Sequence, residues 1–479
     1  MWTCGGCHGR RMSVFGPQAA VLAALMTIGL AGLLPSVGVA AQTAPSVPAK
    51  TRLVVLPFTG SAGTLPEGYG AVPGQGIRDA LRQLHAVRLG DPGEIVAAAK
   101  RLGLSLPPES LEDDALVRLA RELDVRGVIT GGYIVDGDAV TIHARLADVA
   151  AGRVLQGEAI SAPASDYLTA PERIARSALQ QFQVHLSEMD GRRLASAFAP
   201  GTPSLEAYAF YARAAWEQGL GTAESATQAQ SLLARALELD QNFAQARVAL
   251  GVSLYATSAA GAPSNRWKAS QEYRKALQIN SKLAEAHRLL GDLLVTSPRR
   301  MYDQAVQAYQ AALEIWPDYV EARVGLGDAR QAKGQFDEAI DEYKKALAIE
   351  PANARVYLGL GKIYYNEKQL YHEAVAAYQQ AIALDPTLLD AHLSLGELYQ
   401  EKGLYQEAVA RYSYVLSLEP KHPGATYGLA LAYEKVDVKK AMEQWARYIA
   451  LASDLPSERD WVDIAKKHLG KLQRGEKPN

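Results

Sequence analysis

Cysteine is nearly absent from this chain of 479 residues, which contains only Cys4 and Cys7. The sequence beyond residue 7 therefore offers neither a disulfide framework nor a thiolate metal site. An excess of charge of one sign is also lacking, because 50 lysine and arginine residues face 52 aspartate and glutamate residues, without a long basic run. This balance argues against nucleic acid as the main partner.

The sequence patterns of common catalytic sites are lacking as well. No segment matches HExxH, GxSxG, the GxxxxGK[ST] phosphate loop or a cysteine–histidine pair for nucleophilic catalysis. The nine histidines are scattered, and His143 is expected to be a solvated strand residue rather than a metal ligand. We therefore predict a protein that is not an enzyme and has no catalytic residues, no cofactor and no metal site.

The first 41 residues have the order of regions found in a secretory signal peptide. Arg10 and Arg11 are their only charged residues, and an apolar run over 19–34 and a stretch of small residues follow. The run is shorter than the roughly 20 residues that a membrane span needs. A cleaved signal peptide over 1–41 predicts a periplasmic or secreted protein, with an uncleaved N-terminal membrane anchor as the alternative. No cysteine follows the run, so a lipoprotein anchor is not expected.

Cys4-x-x-Cys7-His8 has the spacing of a c-type haem attachment site. The motif precedes the apolar run, so it would stay on the cytoplasmic side and leave with the signal peptide. A haem-binding redox protein is therefore the least favoured alternative. The start codon is also open between Met1 and Met12.

The first globular unit is expected over residues 51–186, after a linker over 42–50. Short apolar runs such as "RLVVLPF" and "AVTIHARLADV" indicate strands, and amphipathic segments between and after them indicate helices. Asp136-Gly137 lies between two such runs and predicts a β-hairpin. Glycines that precede a helix near Gln75 could cradle a phosphate, but their spacing fits no phosphate-binding motif.

The segments "LVVLPF", "LARELDVRGVITGGY" and "GDAVTIHARLADVAAGRVL" together resemble the TolB-like amino-terminal α/β domain. Such domains precede repeat arrays in many bacterial proteins, and similar folds occur in FlgO-type envelope proteins. The resemblance implies a binding or docking module without catalytic residues. The chain departs from the pattern in the long loop "TGSAGTLPEGYGAVPGQG" and in the extra segment "LGLSLPPES".

The second half of the chain repeats itself. "ARVGLGDARQAKGQFDEAIDEYKKALAIEP" and "AHLSLGELYQEKGLYQEAVARYSYVLSLEP" share glycine, alanine, tyrosine and proline at matching distances, and a third copy lies between them. This period of about 34 residues resembles the tetratricopeptide repeat (TPR). Weaker copies extend the array to seven repeats over 204–454, with a linker over 187–203 before them and a capping helix and tail over 455–479. The predicted fold is an α/β domain followed by an all-α superhelical solenoid.

The period has a mechanical reason in such a solenoid. Each repeat forms two helices, and small residues such as Gly327 and Ala339 are expected where these helices cross most closely. Tyr343 and Leu326 are expected to fill the space towards the neighbouring pair, and Pro351 ends the second helix. One helix pair cannot bury its apolar face alone, so the pairs must stack.

The first helices of TPR arrays line a concave groove that commonly binds a peptide or a partner helix. The residues expected to line this groove lie three residues before, one residue after and four residues after the central glycine of each repeat. These positions are Arg288, Asp292, Val295, Val324, Asp328, Gln331, Leu358, Lys362, Tyr365, Leu393, Glu397 and Gln400, with Glu321, Asn366 and Asp390 at the edge. The lining lacks the lysine and asparagine run of TPR domains that clamp a terminal carboxylate, so that ligand class is not predicted. For each residue, the alternative is a solvated helix face.

The predicted function is an exported, non-enzymatic scaffold or adaptor whose TPR groove binds a protein or peptide partner in the bacterial cell envelope. Nucleic acid is not an expected partner, and no integral membrane span is expected after signal cleavage. The alternative from a different class is a structural or assembly factor that docks through the α/β domain and self-associates through the solenoid.

Overall fold

The structure is a computed structural model that describes residues 50–60, 69–106, 111–136, 139–163, 167–168, 170–196, 201–258 and 264–476. The predicted signal peptide over 1–41, the Cys4–His8 motif and nearly all of the linker over 42–50 lie outside the described residues.

Six strands form one mixed sheet in the order β3-β1-β4-β5-β6, with β2 also paired to β4. The strands are β1 Thr51–Val55, β2 Thr59–Gly60, β3 Val87–Leu89, β4 Gly127–Asp136, β5 Ala139–Asp148 and β6 Arg153–Pro163. β1, β2 and β3 run parallel to their partners, whereas β4, β5 and β6 form an antiparallel meander. Asp136 pairs with Ala139, which confirms the predicted hairpin.

Helices cover both faces of this sheet. They are α1 Ala71–Leu81, α2 Pro92–Arg101, α3 Asp113–Glu122, α4 Ala170–Gln181 and α5 Glu188–Ser196. Leu53 and Val55 point towards α1 and α4, while Val54 packs with α2 and α3, because successive strand residues face opposite sides. The α/β fold class predicted for this region is confirmed. The helix predicted near Gln75 begins earlier, at Ala71.

The segment over 187–203, predicted as a linker, contains the helix α5. The Leu194 side chain is buried, and the Asp190 carboxylate accepts a hydrogen bond from the His85 backbone N–H at 2.8 Å. The core of the α/β domain also continues into the first repeat, where Tyr208 packs with α1 and α4 and Trp216 packs against the α2–α3 side. The α/β domain therefore covers the repeat face that no earlier repeat covers.

Helices α6 to α19 form seven successive pairs, and α20 follows them. The first helices are α6 Leu205–Gly219, α8 Ala244–Ser258, α10 Ala284–Val295, α12 Val320–Ala332, α14 Ala354–Asn366, α16 Leu389–Glu401 and α18 Pro423–Val436. The second helices are α7 Ala223–Leu239, α9 Ser264–Ile279, α11 Tyr302–Ile315, α13 Phe336–Ile349, α15 Tyr371–Leu384, α17 Tyr405–Leu418 and α19 Val438–Ala452. A short 3-10 turn at Pro456–Glu458 leads into α20 Arg459–Gln473.

One tyrosine in each central repeat holds two repeats together. A Cβ atom added at Gly327 would lie 2.6 Å from the Tyr343 ring, and one added at Gly359 of the next repeat would lie 2.7 Å from it. Both glycines are therefore required by the close approach of this ring. Tyr309 and Tyr412 lie between glycines of successive repeats in the same way. The glycine–tyrosine spacing in the sequence thus records a packing contact.

The last repeat is closed by a buried polar cluster. The Glu434 carboxylate accepts a hydrogen bond from Trp445 Nε1 at 2.8 Å and lies 2.7 Å from His468 Nδ1 on α20. Glu434 is buried, so these two partners compensate its desolvation. α20 thereby covers the apolar face that a further repeat would otherwise cover.

Candidate functional site

The inner surface of the solenoid is formed by the first helices of the pairs. Successive first helices such as α12, α14 and α16 contact one another more closely than successive second helices do. A stack is concave on the side where neighbouring helices are closest, so α10, α12, α14 and α16 present their outward residues to a groove. The predicted site residues all lie on these four helices or at their ends.

Two predicted groove carboxylates bond to the tyrosines of their own repeats. The Tyr309 hydroxyl donates to Asp292 at 2.7 Å, and the Tyr343 hydroxyl donates to Asp328 at 2.6 Å. Burial raises the pKa of Asp328, and the hydrogen bond from Tyr343 opposes this rise. Gln331 also accepts from the Tyr343 hydroxyl, at 3.1 Å. These polar groups of repeats 3 and 4 already have partners within the chain.

Other predicted residues bridge neighbouring repeats. Arg288 binds Asp292 at 2.5 Å and donates to the Tyr319 hydroxyl at the start of the next repeat at 2.8 Å. Lys362 Nζ lies 3.6 Å from Asp390 of the following repeat. The Tyr365 hydroxyl donates to Glu401, also in the following repeat. On the inner surface, polar side chains therefore link each of these repeats to the following one.

The apolar members of the predicted lining belong to the core. Leu358 is 8% exposed and Leu393 is 5% exposed, and each packs within a cluster of buried side chains. Val324 is buried as well, and Val295 packs against the core of repeats 2 to 4. These side chains hold the repeats together and leave little surface for a partner.

Repeat 6 presents two hydrogen-bond acceptors on one face of α16. Neither a hydrogen bond nor a close ion pair is found for the exposed Glu397 carboxylate among the described residues. The Gln400 side-chain oxygen is buried and has no hydrogen-bond partner in the same part of the chain. Desolvation by the surrounding groove wall raises the pKa of Glu397, and the positive charge of Lys362 opposes that effect. Asn366, at the end of α14, is exposed.

Repeats 1, 3 and 4 contact the α/β domain as well. Asp79 of α1 accepts hydrogen bonds from the hydroxyls of Tyr208 and Tyr211 of α6, each at 3.2 Å. Burial raises the pKa of Asp79, because desolvation penalises its ionised form. Sequence reasoning missed this contact, since no local pattern joins residues 129 positions apart.

A second contact lies at the turn between repeats 3 and 4. His85 Nε2 is 2.9 Å from a carboxylate oxygen of Asp318, and Arg193 of α5 pairs with the same carboxylate. The Arg193 guanidinium stands 4.4 Å above the Trp316 ring. Lys50 extends the interface to the next turn, where its Nζ lies 2.9 Å from Glu350. The α/β domain thus reaches from the first repeat to the end of the fourth.

A small cavity lies beside the N-terminal half of α1. A cavity of about 20 Å³ lies between Pro57, Gly74, Arg78 and Trp216. That volume suits a single water molecule and is too small for a phosphate group. The buried Arg78 guanidinium donates to the carbonyls of Val55 and Gly90, at 3.3 Å each, and burial lowers its pKa to about 10.

The described residues hold no cluster of histidine, cysteine, aspartate and glutamate side chains that could bind a metal ion. His143 lies exposed on β5. In the same part of the chain, no helix combines the length and the apolar character that crossing a bilayer requires.

Family models match the central and C-terminal repeats. A model described as "TPR repeat" matches residues 327–368 and 365–403. Two models described as "Tetratricopeptide repeat" match residues 299–342 and 393–456. The TPR resemblance of these repeats is confirmed.

Several solved structures are similar to parts of the chain. MamA is 25% identical, with a TM-score of 0.32, and the match covers 37% of this chain and 97% of that chain. YrrB, described as a TPR protein with an unusual peptide-binding site, is 24% identical with a TM-score of 0.31, over 41% of this chain and 99% of that chain. pilF of Pseudomonas aeruginosa is 18% identical, with a TM-score of 0.39, and the match covers 50% of this chain and 99% of that chain.

One curated relative is the putative adenylate cyclase 3 of Rhizobium meliloti (strain 1021), which is 25% identical over 214 residues. The match covers 45% of this chain and 34% of the relative, so the chain spans about a third of that protein's length. This likeness does not establish catalysis, and TPR proteins are generally non-catalytic scaffolds. Residues 299–456 consist of tetratricopeptide repeats, a fold that implies a protein-interaction scaffold.

Proposed function

We propose that this protein is an exported, non-enzymatic scaffold that binds a protein or peptide partner in the bacterial cell envelope. The partner contacts the groove of repeats 5 and 6, around Lys362, Tyr365, Asn366, Glu397 and Gln400. The observation that carries this proposal is the Glu397 carboxylate on α16, which is exposed and lacks hydrogen-bond donors among the described residues. An extended peptide carries backbone N–H groups that can supply such donors.

The contrast with repeats 3 and 4 supports this placement. Asp292 and Asp328 occupy the position of Glu397 in their repeats, yet both accept tyrosine hydroxyls. A partner at repeats 3 and 4 would have to replace these bonds, whereas a partner at repeat 6 adds bonds where none exist. Binding at repeats 5 and 6 is therefore favoured by hydrogen bonding.

The test is a capture experiment on envelope extract with the full chain as bait. The test variant carries Lys362→Glu and Tyr365→Ala, and the control carries Lys344→Glu and Gln380→Ala on exposed positions of the second helices α13 and α15. Circular dichroism confirms that each variant is folded. We expect a partner that the control retains and the test variant loses; a partner retained by both variants would move recognition away from the groove.

Export is the second part of the proposal. Its support is the order of charged, apolar and small residues over 1–41. The mature protein is then expected to begin after Ala40 or Ala41. Mass spectrometry of protein from the periplasmic fraction tests this, and an intact Met1 in a cytoplasmic fraction would contradict it.

The α/β domain is proposed to be a TolB-like module that orients the solenoid. Its support is the resemblance of its strand segments and its contacts with repeats 1 to 4 through Asp79, Arg193 and Lys50. In this arrangement the domain serves as the N-terminal cap that a repeat array requires.

A further inference from the structure

Repeat 2 exposes two aromatic side chains, one near the end of α8 and one near the start of α9. Trp267 on α9 is 67% exposed, more than any other large apolar side chain in the described residues. Tyr255 near the end of α8 is 42% exposed, and the Arg266 guanidinium lies 5.7 Å from its ring centroid. An indole exposed to this degree does not contribute to the core, and clustered exposed aromatic residues mark an interaction surface.

The stretches of sequence around these aromatic side chains contain basic residues and no acidic residue. No aspartate or glutamate occurs between Asp240 and Glu272, or between Asp292 and Asp303. The first of these stretches ends with Arg266 and Lys268 close to Trp267, and the second carries Arg299 and Arg300. The local charge is therefore positive, although the whole chain is close to neutral.

The structure brings the two stretches together. The Arg266 guanidinium donates to the Thr296 hydroxyl and to the Leu293 carbonyl at 3.5 Å, so the start of α9 lies against the turn that follows α10. Arg299 and Arg300 belong to this turn and are exposed. Among the described residues, no ion pair is found for either arginine or for Lys268. Their charges are free to attract an external anionic group.

Arg300 also stands at a backbone position that normally favours glycine. Its φ angle is +51°, and the corresponding turn positions in repeats 4 and 6 are Gly334 and Gly403, with φ of +78° and +75°. A side chain is disfavoured in this conformation. Gln369 at the corresponding turn of repeat 5 has a φ angle of +54°, so this turn accepts a side chain in more than one repeat, and in repeat 3 it carries an exposed positive charge.

We propose that Tyr255, Arg266, Trp267, Lys268, Arg299 and Arg300, the basic–aromatic surface, bind the surface of an anionic lipid bilayer. Tryptophan and tyrosine rings favour the headgroup level of a membrane, and arginine and lysine are attracted to anionic lipids. Trp267 lies in the first turn of the second helix α9, outside the groove that the first helices line, and its exposed indole can enter the headgroup region of a bilayer. This function goes beyond partner binding, and it would hold the solenoid against a membrane.

The test is flotation of the full chain with vesicles of phosphatidylcholine, alone or mixed with phosphatidylglycerol, at low ionic strength. The test variant carries Trp267→Ala, Arg299→Gln and Arg300→Gly. The matched control carries Trp461→Ala, Lys466→Gln and Lys467→Gln on α20. Like the test variant, it removes one exposed tryptophan and two exposed positive charges. Every protein keeps the apolar run over 19–34, so binding through that run is equal in all arms.

We expect the wild type and the control to bind mixed vesicles, and the test variant to bind them about tenfold or more weakly. Added salt should weaken the wild type in the same direction. Equal binding of test variant and wild type, equal loss in the control, or equal binding to neutral and mixed vesicles would overturn the proposal. The proposal would also be overturned if the test variant bound vesicles as the wild type does but lost binding to soluble polyglutamate. That result would favour an acidic protein as the partner of this surface.

Unfolding is separated from loss of the surface by a second variant. Arg299→Gln with Arg300→Gly removes both charges and supplies the glycine that other repeats have at this turn, so it should melt at or above the temperature of the wild type. It should still bind mixed vesicles severalfold more weakly. Wild-type binding by this variant would contradict the role of the two arginines.

Discussion

Repeats 1 to 4 and repeats 5 to 7 share one sequence period, yet different parts of the chain contact them. The α/β domain touches the early repeats through Asp79 at α6, Arg193 at Asp318 and Lys50 at Glu350. At the other end of the stack, α20 packs against repeat 7. The same helical pair therefore packs against the α/β domain at one end of the stack and against α20 at the other end.

The inner surfaces of the two halves also differ in the hydrogen bonding of one equivalent carboxylate. Asp292 and Asp328 accept hydrogen bonds from tyrosines of their own repeats. Glu397 at the equivalent position has no such bond among the described residues. At this position the early repeats therefore bond the carboxylate internally, whereas in repeat 6 the proposed partner would supply the donor.

The largest expected effect comes from breaking the packing that both halves share. Tyr343→Ala removes a buried ring held between Gly327 and Gly359, and should lower the free energy of unfolding by about 3–5 kcal/mol. Urea denaturation followed by circular dichroism measures the loss. The matched variant Tyr343→Phe keeps the ring and loses only the bond to Asp328, at a cost of about 1 kcal/mol. Equal losses in both variants would show that the ring does not hold the two repeats.

The next largest effect is expected from removing the hydrogen bonds between the α/β domain and the first repeat. Tyr208→Phe with Tyr211→Phe leaves the Asp79 carboxylate with Gln75 as its remaining hydrogen-bond donor, and should lower the free energy of unfolding by about 2 kcal/mol. Tyr405→Phe, in a second helix of the later half, should change it little. Urea denaturation compares the three proteins, and a loss in the control as large as in the double variant would argue against a specific docking contact.

A smaller effect follows from the pKa of Glu397, which desolvation by the surrounding groove wall raises although the side chain is exposed. The folded protein therefore binds the proton more tightly than the unfolded chain, so ionised Glu397 lowers the free energy of unfolding at neutral pH. Glu397→Gln should remove this cost and raise the free energy of unfolding near pH 7.5, by less than about 1 kcal/mol. The gain should shrink as the pH falls through the raised pKa of Glu397 in the folded protein, because the protonated carboxyl carries no such cost.

A variant of opposite sign controls for general effects of charge removal. The hydrogen bond from Lys345 lowers the pKa of Asp341, so this carboxylate stabilises the folded protein at neutral pH. Asp341→Asn should therefore lose stability near pH 7.5, and the difference from wild type should shrink as the pH falls through the folded pKa of Asp341. Urea titrations at several pH values check both signs, and equal signs for the two variants would contradict the assignment.

The smallest effect concerns the ion pair at the far end of the docking contact. Lys50 and Glu350 are partly exposed, so their coupling energy should be about 0.5 kcal/mol and should fall as salt is added. A double-mutant cycle with Lys50→Ala and Glu350→Ala measures it. A coupling above about 2 kcal/mol would mean that this pair, rather than the shared apolar core, holds the two regions together.

The sequence predicted what is periodic and missed what is not. Glycine and tyrosine recur at fixed spacing because each Tyr343-like ring needs small residues opposite it, and such a contact leaves a local pattern. The contacts of Asp79 with α6, and of His468 with Glu434, join residues far apart in the chain and leave no pattern. Helix α5 was missed because its apolar face is short and its main bonds are to distant loops.

The sequence predicted which helices carry the candidate site residues, but not how deeply each side chain is buried. Counting from the central glycine placed every predicted residue on a first helix or at its end, as the TPR period requires. The same rule gave Leu358 and Leu393 as groove residues, although both are buried among neighbouring side chains. Depth depends on how far the adjacent helices approach, and this depends on side chains of the next repeat.

Site-specific photocross-linking in intact cells tests the central claim most directly. Benzoylphenylalanine replaces Asn366 at the groove of repeat 5 or, as the control, Lys344 on the second helix of repeat 4; both positions are exposed. The account predicts a protein adduct from position 366 that is absent from position 344. An adduct from position 344 alone, or the same adduct from both positions, would contradict a partner site in the groove of repeats 5 and 6.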